Sequence, residues 1–342
     1  TIGPSSTKQA DDYFNTVLYN GTGSAASITG VGFQPDWVWV KKRNTPVRNH
    51  GLTDSSRGAT KALFTSLTDA ETTNTQGLTS FDSDGFSVGT YDTFNESSGT
   101  YVSWNWIANG GTTSSNSDGS ITSTIQASTA SGFSIVLYTG NDTAGATVGH
   151  GLGAVPQWYF IKRRSNTGDW ITYHHRIASD PQTDLVKLNT TDALIDASSV
   201  WNDTAQTSSV FSLGTSVDLN ANGQTYVAIV FTAIEGYSKF GFYTGNANAD
   251  GSFVYTGFKP AWVMVKNTNT AGNSWHIMDN KRNTFNVVDN FIFTNSSAAE
   301  DAGSSTNFDL LSNGFKLRGT SQNDSGHNFI YMAFAEAPFK YA

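Results

Sequence analysis

Apolar and polar residues alternate with a period of two in short runs, and the runs are separated by stretches rich in Gly, Asn, Asp, Ser and Thr. That pattern predicts many short β-strands joined by turns. The clearest run is Trp37-Val38-Trp39-Val40, headed by Pro35. Alternation puts Trp37 and Trp39 on one face and Val38 and Val40 on the other. Both faces are apolar, so the strand is expected to be packed on each side, by a second sheet on one and by loops or a neighbouring module on the other. A proline at the first position fits, because that residue need not donate to the ladder.

The run recurs. Gly32-Phe33-Gln34-Pro35-Asp36-Trp37-Val38-Trp39-Val40-Lys41 is matched by Gly257-Phe258-Lys259-Pro260-Ala261-Trp262-Val263-Met264-Val265-Lys266, and by Val155-Pro156-Gln157-Trp158-Tyr159-Phe160-Ile161-Lys162. Proline, tryptophan and lysine keep one spacing in all three. Turns at Tyr19-Asn20-Gly21, Tyr138-Thr139-Gly140 and Tyr243-Thr244-Gly245 precede them, and strands around Tyr101-Val102-Ser103-Trp104, Tyr226-Val227-Ala228-Ile229 and Phe329-Ile330-Tyr331-Met332 close them. The expected fold is all-β, three tandem sandwich-like modules of roughly 100 residues each. They span residues 1–110, 121–235 and 236–342, with a Gly/Ser/Thr linker at 111–120. The tight boundary near Tyr237 makes modules two and three the pair expected to be more rigidly coupled.

Composition supports sheet and narrows function. Aromatic residues are 13% and charged residues 14% of 342, too few charges for long solvated helices. A net charge of -8 leaves no basic surface for phosphates, so nucleic acid is not an expected partner. With no cysteine there is no disulfide framework and no thiolate zinc site. No signal peptide and no membrane span are expected, since Thr1 to Ala10 lack an apolar core and no run of about 18 apolar residues occurs.

Candidate chemistry is sparse. Asp82-Ser83-Asp84-Gly85 resembles the opening of a calcium loop, but lacks the further oxygen ligands and closing Glu of one and reads as a hairpin turn. Arg57, Arg176 and Arg282 follow the shared strand at similar distances, two of them with an aspartate three residues earlier (Asp54, Asp279), which reads as an ion pair pinning a loop. The residues singled out for ligand binding are Trp170, Tyr173, His174, His175, Trp275 and His276, in polar, divergent segments where a ring can stack on a sugar while neighbours bond its hydroxyls; the plainer reading has these rings facing inward. No catalytic motif, no cofactor and no metal site are expected, and the chain is not expected to be an enzyme.

On the strings Ile28 to Lys41, Asp54 to Leu63, Leu78 to Phe86 and Ala333 to Lys340, the chain resembles the repeats of bacteriophage tail-fibre and related virion structural proteins, particularly of marine and cyanobacterial phages. The resemblance runs from about Tyr19 onward and carries no catalytic residue. It implies a virion component exposed outside the particle, on tail or head, in contact with other virion proteins and with a bacterial surface glycan or protein, and assembled as a homo-oligomer. Three roles follow from it: a tail fibre or receptor-binding adhesin, a purely architectural tail or capsid-decorating (head fibre) protein, and a surface-glycan depolymerase.

Overall fold

A computed structural model describes residues 9–303 and 307–336. The end of the last matching string, 337–340, lies outside the described residues. Antiparallel sheets make up the chain, and among the described residues helix is confined to single turns such as Asp92–Asn95 and Val217–Asn220. No helix among them is long and apolar enough to cross a membrane.

One strand order occurs three times. The first unit pairs Phe14–Asn20, Thr100–Trp106, Trp37–Lys42 and Gly51–Asp54 in that order. Phe133–Thr139, Thr225–Phe231, Trp158–Arg163 and Trp170–His174 repeat it, and so do Ser238–Thr244, Asn328–Ala335, Pro260–Asn267 and His276–Asp279. The registers agree as well: Trp37 faces Trp106, Trp158 faces Phe231 and Trp262 faces Phe334. A smaller sheet lies in each unit, built on Ala26–Thr29 with Gly85–Val88, Ala146–Gly149 with Val210–Leu213, and Phe253–Tyr255 with Gly314–Leu317.

The two apolar faces of the shared strand have different jobs. Val38 and Val40 pack with Ile28, Leu78 and Phe86 inside the first unit. Trp37 and Trp39 point the other way, into a cluster that also holds Trp158, Phe231, Trp262 and Phe334. Rings from different units meet there: Trp37 with Phe231 at 6.1 Å, Trp106 with Trp262 at 5.9 Å and Phe231 with Phe334 at 5.8 Å between centroids. Trp37, Trp158 and Trp262 are core residues, at most 1% exposed. The units therefore share one hydrophobic core and are not three beads on a string.

Two expectations are corrected. The segment 111–120 is exposed but not a free linker. Ser114–Asn116 pairs with Ser123–Ser128 at the edge of the second unit's sheet. Upstream, the Asp36 carboxylate accepts the backbone N–H groups of Ala108, Gly110 and Gly111 at 2.7, 2.8 and 2.7 Å. An edge strand is held by backbone hydrogen bonds and needs no apolar side chains, so composition alone misreads it. Nor are the second and third units the specially coupled pair, because every pair of units is bonded across its seam.

Candidate functional site

Two of the residues singled out in the sequence, Trp170 and Trp275, lie on those seams. Pairing registers place His50, Trp170 and Trp275 at one position of the fold, opposite Lys41, Lys162 and Lys266 or aligned with them. Each ring bonds a backbone carbonyl of another unit. Trp170 Nε1 donates to Phe64 O at 2.9 Å, and Trp275 Nε1 to Lys187 O at 2.9 Å. His50 Nε2 donates to Phe293 O at 2.8 Å; its proton sits on Nε2 because Nδ1 accepts from Trp39 Nε1 at 2.8 Å. The acceptors Phe64, Lys187 and Phe293 are again equivalent, so second bonds first, third bonds second and first bonds third.

A second set closes the same circle. Glu71 N–H donates to Arg164 O, Leu194 N–H to Thr268 O and Glu300 N–H to Arg43 O, at 2.8, 2.9 and 2.8 Å. Two of these links carry charge. Arg164 grips Glu71 through Nε and Nη2 at 2.9 and 3.1 Å, and Arg43 grips Glu300 at 2.9 and 2.8 Å. Burial works against the Glu71 charge, but Arg164 and Arg57 outweigh it and hold the carboxyl below its ordinary value.

Three lysines lie fully buried along the seams with carbonyls as partners. Lys41 Nζ donates to Lys42 O, Arg48 O and Ser297 O at 2.8, 2.9 and 3.0 Å. Lys162 Nζ reaches Thr68 O and Gly168 O, and Lys266 Nζ reaches Asn273 O. Burial lowers all three, Lys41 to about 7 with help from the Lys42 charge, Lys162 and Lys266 to about 8. Lys41 and Lys162 thus bond across a seam, to Ser297 O and Thr68 O, while Lys266 bonds within its own unit.

The six predicted ligand-binding residues are not presented as a surface. Trp170 and Trp275 are 1% and 0% exposed, and all nine tryptophans of the chain are under 2%. Tyr173 is buried in the second unit's own core, stacked on Tyr159 at 4.7 Å, and burial pushes its hydroxyl up to about 12. His174 is buried edge-on to Trp158 at 5.0 Å; burial, then the charges of His175 and Arg176, hold it well below the usual histidine value. His276 lies between Phe291 and Phe293 at 5.0 and 4.9 Å, pushed down to about 4 by burial. His175 alone is half-buried, its Nε2 bonded to Phe240 O at 3.0 Å. The exposed-loop expectation fails for a physical reason: polar neighbours in these segments serve backbone and seam, while the rings take the apolar side.

The arginine alignment is also corrected by one residue. Trp37, Trp158 and Trp262 face Asp54, His174 and Asp279, so Ile177, not Arg176, stands where Arg57 and Arg282 stand. Where both members exist they form the expected buried pair, Arg57 with Asp54 and Arg282 Nε with Asp279 at 2.6 Å. The offset has a legible cause, since Lys162 precedes Trp170 by eight residues whereas Lys41 and Lys266 precede His50 and Trp275 by nine. Counting that spacing would also have found His50, which sequence reasoning missed.

At the calcium-like turn both carboxylates are engaged. Asp84 accepts the N–H groups of Gly30 and Gly32 at 3.1 and 2.6 Å, and Asp82 accepts from Ser80 and Ser87 hydroxyls at 2.8 and 2.6 Å. Among the described residues no group of three or more His, Asp or Glu is placed to hold a metal ion. No curated protein matches the chain. With a family model matching residues 9–338, the chain belongs to the family described as a domain of unknown function, DUF7483.

Proposed function

We propose that this chain is a non-enzymatic, architectural protein of a bacteriophage particle, carried on the outside of the tail or head. The observation that carries the reading is the cyclic set of seams. His50, Trp170 and Trp275, the buried Lys41 and Lys162 and the Arg–Glu pairs are all used to join three units into one body. The resemblance to tail-fibre repeats supplies the setting. Contacts that run head to tail and close on themselves leave no open copy of the same surface, so contacts with other virion proteins, or with further copies of the chain, fall to the outer sheets and loops. A receptor-binding role attaches to a different surface, the outer edge of the third unit, where rings and cations are exposed.

The test is localisation. Gold-labelled antibody and mass spectrometry on purified particles should find the protein in fixed stoichiometry on the particle exterior; its absence from purified particles would overturn the reading. Release of reducing ends from host surface polysaccharide by the purified chain would favour the depolymerase instead.

A further inference from the structure

The outer edge of the third unit, like that of the first, is open where the second unit's is covered. In the second unit, the strand Phe133–Thr139 is covered by Ser123–Ser128 and Ser114–Asn116. The equivalent strand Ser238–Thr244 is a sheet edge. Beside it lie two adjoining open depressions of about 380 and 390 Å³, both bordered by His175, Arg176 and Phe242, within the size range of small-ligand sites. Phe242, Phe253 and Tyr255 are 41%, 46% and 59% exposed there, three of the four exposed aromatic rings among the described residues, the fourth being Phe285.

Two cations accompany the rings. The Arg176 guanidinium lies 4.7 Å from the centre of the Phe242 ring, and Lys239 Nζ lies 4.9 Å from that of Tyr255. Neither forms a salt bridge among the described residues, although the chain carries a net charge of -8. Two like charges left side by side without a carboxylate are unfavourable unless an anion joins them.

The fold does not require this set. Register places Lys239, Phe242, Phe253 and Tyr255 at the positions of Asn15, Leu18, Ser27 and Thr29 in the first unit, and of Ser134, Leu137, Thr147 and Gly149 in the second. Arg176 stands where the first unit has Ser56. Four of the five positions are thus filled elsewhere by small or polar residues, and the scaffold still folds around them.

We propose that this edge of the third unit, with Lys239, Phe242, Phe253 and Tyr255, together with Arg176 of the adjoining second unit, is a binding site for an acidic oligosaccharide. The carboxylate or sulfate groups of the sugar meet the two cations, and the apolar faces of its rings stack on the exposed aromatics. An extended peptide would instead pair its backbone with the open strand edge, and the polyglutamate probe separates the two occupants. The inference goes beyond the architectural role and does not depend on where the protein sits on the particle.

Calorimetric titration of the full chain tests it with three probes: a short oligogalacturonate, a neutral galacto-oligosaccharide of the same length and a polyglutamate peptide. Oligogalacturonate should bind saturably, more weakly as salt rises, and about tenfold or more weakly to Arg176→Ser/Lys239→Asn and to Phe253→Ser/Tyr255→Thr. These are the residues the first unit carries, and thermal unfolding should match the parent; Arg176→Glu, at an exposed side chain, provides a second reading if either double variant misfolds. No saturable binding of oligogalacturonate, unchanged affinity in the variants, or equal binding of the neutral sugar overturns the proposal. Equal or tighter binding of polyglutamate assigns the edge to acidic peptides and overturns the sugar assignment.

Discussion

Two seams of this molecule carry a cluster of paired arginine and acidic side chains and the third does not. Arg282 pairs with Asp279 and, through Nη1, with Glu300 at 3.1 Å, and Glu300 in turn holds Arg43 of the first unit. Arg57, Asp54, Glu71 and Arg164 repeat the arrangement between the first and second units. Burial works against the Arg57 charge, yet Asp54 and Glu71 outweigh it and hold the guanidinium above its ordinary value. Between the second and third units the same positions hold His174, Ile177, Leu194 and Thr268, a neutral set. One backbone geometry therefore accepts either solution. Charge is not what the seam requires; what it requires is that a buried charge, once present, be fully paired.

The comparison breaks most sharply at Arg282. Arg282→Met removes the cation paired with the Asp279 carboxylate, which keeps the N–H bonds of Trp104, Lys281 and residue 282, and should cost about 3 to 5 kcal/mol. The quadruple change Arg43→Thr/Asp279→His/Arg282→Ile/Glu300→Leu installs the neutral set and should recover most of that loss. Urea unfolding decides it. A quadruple variant as unstable as the single one would show that the charged seams depend on their charges after all.

Acid should separate the same regions. A histidine buried neutral has a folded value below its unfolded 6.5, so the unfolded chain binds more protons and stability falls as pH drops from 6.5. For His276, lowered to about 4, the loss between 6.5 and 4 amounts to about 3 kcal/mol. His276→Phe, in a site already walled by Phe291 and Phe293, should make the Tm profile less steep over that window, the remainder of the slope belonging to the other buried histidines. Glu71, held below its ordinary 4.5, contributes stability that is present above 4.5 and lost only as pH falls beneath it, so Glu71→Gln should leave the histidine limb unchanged.

The smallest effect isolates one seam bond. Trp170→Phe keeps most of the packing but leaves Phe64 O with only the longer bond from Leu67 N–H at 3.3 Å, and should cost about 1 to 3 kcal/mol. His50→Phe removes the equivalent bond to Phe293 O together with the Trp39 bond, and should cost more. Equal losses in denaturant titrations would mean that the Trp39 bond to His50 contributes nothing to the seam.

The sequence by itself determined the local structure, because strand periodicity, turn residues and the Pro-Xaa-Trp run are local properties. The all-β class, the buried tryptophans at 37, 158 and 262, and the ion pairs Asp54–Arg57 and Asp279–Arg282 could all be read from neighbouring residues. Tertiary structure alone decided which apolar face meets what. Trp170 in a polar segment and Trp39 in an apolar one look different in sequence, yet both end buried at the shared core, because a seam between sheets takes rings from strands far apart in the chain. The same holds for the ordered edge at Ser114–Asn116, held by backbone bonds that composition does not register. It holds again for Arg176, set apart from Arg57 and Arg282 by a one-residue shortening and so left facing Phe242, not the interior. A single-residue change in spacing is nearly invisible along the chain, but in a strand it shifts a side chain to the opposite face.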